Sequence, residues 1–157
     1  MSETTVEQIL ARDGQYLATP VGISMWPMLH NRHDAVLIVA LGGHTVKRGD
    51  VILYRRPTGK LVLHRVRGHR ADGDVLCGDN LAHREFGVQP EWILGVASGF
   101  YRGQRFVPVT HFGYRVYVQA VLWTLPLRAP VLMIKRGEVP RLFRRAVAKA
   151  KRILKGQ

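Results

Sequence analysis

The sequence predicts a mainly β fold: one compact, coiled antiparallel sheet or small barrel, with a short N-terminal helix and a C-terminal helical extension. Three observations predict it. Between 15 and 107, short runs rich in Val, Ile and Leu recur at close intervals. Gly, Pro and Asp punctuate them, as they punctuate the strands of a small antiparallel sheet. After about 110 the punctuation thins and the apolar spacing turns helical. A chain of 157 residues, 46% apolar, can bury the core of one such domain.

The elements follow in order. MSETTVEQILARDG, 1–14, reads as a helix with Val6, Ile9 and Leu10 on one side and Gly14 as its stop. It is acidic and polar, and it lacks the basic start and apolar run of a signal peptide. The β domain is expected over 15–110. QYLATPVGI leads as an extended stretch to Ser24. DAVLIVAL, 34–41, is an apolar run. GDVILYRRP, 49–57, starts after Gly-Asp and stops at a proline. GKLVLHRVRG, 59–68, alternates, ADGD, 71–74, is a turn, and VLC follows it. WILGVASGFYRG reaches 103, and QRFVPV returns as its hairpin partner.

The stretch 111–134 reads as an apolar helical segment broken at Pro126 and Pro130. Its part 116–134 holds 19 residues and one formal charge, Arg128. That length is barely enough to cross a bilayer. An Arg near the centre of a span costs about 2.5–3.5 kcal/mol. A segment lying in the interface or packed on the domain is therefore favoured.

The segment 135–157 is a basic amphipathic tail, with Leu142, Val147, Ala150, Ile153 and Leu154 on one side. Four Lys and five Arg against one Glu give it a net +8 of the chain's +13. An anionic membrane surface would attract it, and specific nucleic-acid binding is not expected. The expected localisation is peripheral membrane association or the cytoplasm. The single cysteine, Cys77, excludes an intramolecular disulfide framework and any CxxC metal site. No metal or cofactor is implied, since no ligand cluster has suitable spacing.

The residues that carry chemistry begin with GISMWPML, 22–29, where one hydroxyl stands in an uncharged, apolar run. A serine becomes a nucleophile only when a base removes its proton. Of seven histidines, six lie in polar or turn-like surroundings. His64 instead alternates with Val62 and Val66 on one strand face, while Leu61, Leu63, Arg65 and Arg67 take the other. A core histidine bonded to a neighbour satisfies the same pattern. Asp79, in LCGDN, closes a strand. It is either a local turn residue or the carboxylate that orients an imidazole.

The ordered set SMWP, RGDV, LHRV, CGDN and ILGVA, from about Val21 to Ala97, resembles the S24/S26 serine peptidases, in particular type I signal peptidase. That resemblance implies the signal peptidase/LexA C-terminal fold, with Ser24 as nucleophile. Many bacterial members place a Lys where His64 stands. The Ser–His pairing resembles the endoplasmic-reticulum and archaeal branch, which implies a Ser24–His64 dyad assisted by Asp79. That branch carries a further acid shortly after GDN, and Glu85 is the nearby acid here. The resemblance also implies a peptide or precursor-protein substrate with small residues before the cut, bound as an added strand near Gly22, Ile23, Met25 and Pro27. With about 20 residues ahead of the motif, neither a membrane anchor nor a helix-turn-helix is expected there. A LexA-like regulator is thus disfavoured, and a non-catalytic peptide-binding module stays as the alternative.

Overall fold

The computed structural model describes residues 4–135. Helix α1, Val6–Asp13, opens with a capping box. Thr5 accepts from the Gln8 N–H while the Gln8 side chain accepts from the Thr5 N–H, so two otherwise orphaned donors are satisfied. Gly14 ends the helix in the left-handed region at φ 71°.

Eight strands then form one antiparallel sheet: β1 Gln15–Ala18, β2 Asp34–Val39, β3 Val51–Arg55, β4 Leu61–Arg70, β5 Gly73–Cys77, β6 Glu85–Val88, β7 Ile93–Arg102 and β8 Arg105–Pro108. The order is β1-β2-β7-β3-β4-β5-β6, with β8 on β7. Strand β7 joins the two halves. One edge pairs with β2, and the other is shared end to end by β3 and β8. Register shifts in β2–β7, β3–β7, β4–β5 and β5–β6 bend the sheet. It is coiled but does not close, so of the two shapes expected the open sheet is found and the barrel is not.

The alternating patterns place two cores on the two faces. Met25, Met28, Leu29, Val36, Ile38, Val51 and Phe100 form one, over which Leu10 and Tyr114 pack. Ile52, Tyr54, Val66, Leu76, Val88 and Val96 form the other.

Two expectations need correction, and one strand was given no expectation. The extended stretch before Ser24 ends as a strand at Ala18, because Pro20 lacks a donor and Gly22 sits at φ 104°. The residues after GDN, which carry few strand signals, form β6 against β5. The segment expected to break at two prolines is one helix, α2, Phe112–Lys135. Each proline removes a single backbone donor, and the neighbouring i to i−4 bonds carry the helix past it. Among the described residues no helix is long and apolar enough to cross a membrane. The amphipathic stretch Leu142 to Leu154 lies outside the described residues.

Candidate active site

Ser24 sits on the turn between β1 and β2, half-buried, with Met25, Met28 and Leu29 anchored in the core beneath it. Val21, Ile23 and Trp26 stand exposed around it, and the Trp26–Pro27 peptide is cis. The GDN stretch holds this loop through its backbone. The Asn80 N–H donates to the Ser24 carbonyl at 2.8 Å, and Asn80 Nδ2 donates to the Ile23 carbonyl at 3.1 Å. Gly78 lets the two segments meet: a Cβ there would lie 2.5 Å from the Ser24 carbonyl oxygen. The N–H of Gly22 donates to Asn31 Oδ1 at 2.8 Å and is not available as an oxyanion donor.

His64 lies on β4, 5% exposed, on the Tyr54 side of the sheet. Its Nδ1 is 3.1 Å from Glu85 Oε1 and 3.4 Å from the Tyr54 hydroxyl. Glu85 is gripped from behind by both Nε and an Nη of Arg56, with Nε at 2.9 Å from Oε2. Burial alone would raise the Glu85 pKa. Hydrogen bonds from His64, Arg56 and Tyr54 outweigh it and lower the value to about 2. Burial and the Glu85 carboxylate push the Tyr54 hydroxyl well above its ordinary range. An ionised carboxylate at Nδ1 selects the tautomer with its proton on that nitrogen, which leaves Nε2 as the acceptor.

Asp79 is elsewhere, and the expectation that it assists His64 is corrected here. The next residue on β4, Arg65, points to the opposite face, and Asp79 lies there. Arg65 reaches both Asp79 oxygens, Nε to Oδ1 at 2.7 Å and Nη2 to Oδ2 at 2.6 Å. Arg67 donates to Oδ1 at 3.1 Å, and the Tyr117 hydroxyl donates to Oδ2 at 3.0 Å. Asp79 and Arg65 are fully buried. Arg65 also donates to the Gly49 carbonyl, to the Tyr114 hydroxyl and to Met28 Sδ. Burial opposes its charge, and Asp79 more than offsets that, holding the guanidinium pKa above its ordinary value. This cluster ties β4, β5, the serine loop and α2 together.

Ser24 and His64 line one groove of about 630 Å³. No hydrogen bond joins their side chains among the described residues. Gly22, Ile23 and Met25 also line the groove, whereas Pro27 faces a second cavity on the far side of the loop. Among the described residues, two strand edges that border the groove lack a partner strand. Strand β1 pairs only with β2. Leu61–His64 of β4 pair with β3 alone, because β5 joins β4 only from Arg65 onward.

Tyr54 is absent from the sequence-based expectations, and Glu85 enters them only through the family resemblance. The β-hairpin register places Ile52 opposite His64 and Tyr54 opposite Val62. Alternation along VILYR therefore puts the Tyr54 ring on the His64 face, a signal present in the sequence. Glu85 had no comparable signal beyond its charge and its closeness to GDN. Asp50, in RGDV, accepts from the Lys47 N–H at 2.9 Å and meets His44 Nε2 at 3.0 Å.

No family model matches the chain, and neither a curated protein nor a solved structure does.

Proposed function

We propose that this chain is a serine endopeptidase of the type I signal peptidase kind, built on the S24/S26 fold. The observation that carries the reading is the convergence of Ser24 and His64 on one groove, with an ionised Glu85 on the far nitrogen of the imidazole. Nucleophile, base and orienting acid are the three roles acyl transfer needs. Here Glu85 takes the role first given to Asp79, and Asp79 positions the loop from the opposite side of β4.

In this mechanism a peptide lies in the groove as a strand, using the unpaired edges of β1 and of β4 at 61–64. Gly22 leaves space for its backbone, since nothing lies within 4 Å of where a Cβ would be. The step requires Ser24 Oγ and His64 Nε2 to meet in the groove they share, a contact that commonly tightens only with substrate bound. His64 takes the Ser24 proton as Oγ attacks the scissile carbonyl carbon. The Ser24 N–H faces the resulting oxyanion. His64 then protonates the leaving amine. Water, deprotonated by His64, hydrolyses the acyl-enzyme and frees Ser24. The basic stretch 135–157 would hold the protein at an anionic membrane surface, where leader-bearing precursors are found.

The test is cleavage of leader-bearing precursor peptides by wild type and by Ser24→Ala. Cleavage by wild type alone, with kcat down roughly a million-fold in the variant, is expected. Equal cleavage by both removes Ser24 as nucleophile. The missing Ser24–His64 hydrogen bond favours one second reading, a peptide-binding module without catalysis. In that case neither protein cleaves, and both bind the peptide equally.

A further inference from the structure

The serine loop divides two cavities. The second, of about 590 Å³, lies between the loop, the β7–β8 hairpin and the start of α2. We propose that it binds an organic phosphate, with the phosphoryl group on a cationic rim and the organic part against an aromatic wall. The proposal does not depend on the peptidase reading.

The rim carries Arg102, Arg105, His30 and His111. Arg102 and Arg105 are register partners beside the two-residue turn of the hairpin. Like charges directly opposite across a strand pair repel and destabilise it. Among the described residues no carboxylate pairs with either guanidinium, and Arg102 lies over the Phe100 ring, 5.6 Å from its centroid. Asp34, the register partner of Arg102 on β2, turns to His30 instead, meeting its N–H at 2.9 Å and its Nδ1 at 3.0 Å. Arg102 donates once, to the Met28 carbonyl at 3.1 Å, and Arg105 has no ion pair among the described residues. Among the described residues no carboxylate lines the cavity. Two guanidinium forks and two imidazoles around one opening suit a phosphoryl dianion, which accepts several such donors at once.

The wall behind the rim is apolar. Phe100 and Tyr114 pack with centroids 5.4 Å apart, and Tyr117 continues the surface. The hydroxyls of both tyrosines face the Arg65–Asp79 cluster, so ring surface lines the cavity. A volume near 590 Å³ is that of a small-molecule site rather than a single-ion site.

The test uses the full chain and isothermal titration calorimetry with phenyl phosphate, inorganic phosphate and phenol. Phenyl phosphate should bind tightest and phenol not at all. Arg105→Ala, an exposed hairpin position away from the serine groove, should weaken phenyl phosphate at least tenfold with a melting temperature no lower than that of wild type. Arg105→Lys should restore part of the loss. Vesicles of phosphatidic acid and of phosphatidylcholine separate the sources. Capture by phosphatidic acid alone, lost in Arg105→Ala, identifies a lipid headgroup. Binding of the soluble ester without vesicle capture identifies a free metabolite. Phenyl phosphate affinity that is undetectable at millimolar concentration, or equal in wild type and Arg105→Ala, overturns the proposal.

Discussion

Adjacent residues of one strand, His64 and Arg65, each meet a carboxylate, and the two pairs behave differently. His64 meets Glu85 at the wall of an open groove, with the Glu85 side chain 21% exposed. Arg65 meets Asp79 with both side chains fully buried. The first pair leaves one ring nitrogen of the imidazole, Nε2, without a carboxylate. The second joins a permanent cation to an anion that accepts from three side chains. The difference is one of water and of proton affinity: the same charge pattern serves chemistry at the groove and rigidity in the interior.

That contrast breaks first at Glu85. Glu85→Gln should lower kcat for precursor cleavage by up to roughly ten thousand-fold with little change in KM, as when an orienting carboxylate is neutralised. The acid limb of the rate profile should move with it. A loss confined to KM would make Glu85 a groove residue only.

Asp79→Ala tests the other half. It strands two buried guanidinium groups and should destabilise the fold by about 3–5 kcal/mol, read by urea denaturation. Replacing Asp79 without a stability change would deny the cluster its structural role.

The smallest effect sharpens the comparison by pH. Glu85 titrates at about 2 in the folded chain against an ordinary 4.5. Its folded-state value is depressed, so its contribution is full above about 4.5 and fades as pH falls toward 2. Wild type should exceed Glu85→Gln in stability at pH 6, and the gap should shrink across that window. A constant gap from pH 6 to pH 2 would contradict an ionised, paired Glu85.

The sequence made one side of this contrast readable. Alternation along LVLHRVR separated His64 from Arg65, because a strand has only two faces. It could not say which face the 78–81 turn would approach, so the family resemblance points Asp79 to His64 although its partner is Arg65. Glu85 needed strand β6, whose four residues EFGV include Gly87 at φ 70° and pair with a register shift. Such a strand exists through its neighbour rather than through its own propensity. The run through Pro126 and Pro130 was misjudged for a related reason: each proline's local penalty was visible, and the support of the surrounding helix was not.

Gly78 sets a limit on all of this. A Cβ at 78 would stand 2.5 Å from the Ser24 carbonyl oxygen, so only the hydrogen of a glycine fits there. On that side the nucleophile has no mechanical slack, and the end of β5 acts as the datum from which its height is measured. Misplacement of a reacting group by about 1 Å is enough to lower a rate a hundredfold. The tolerance of the site is thus written into a residue that carries no functional group at all.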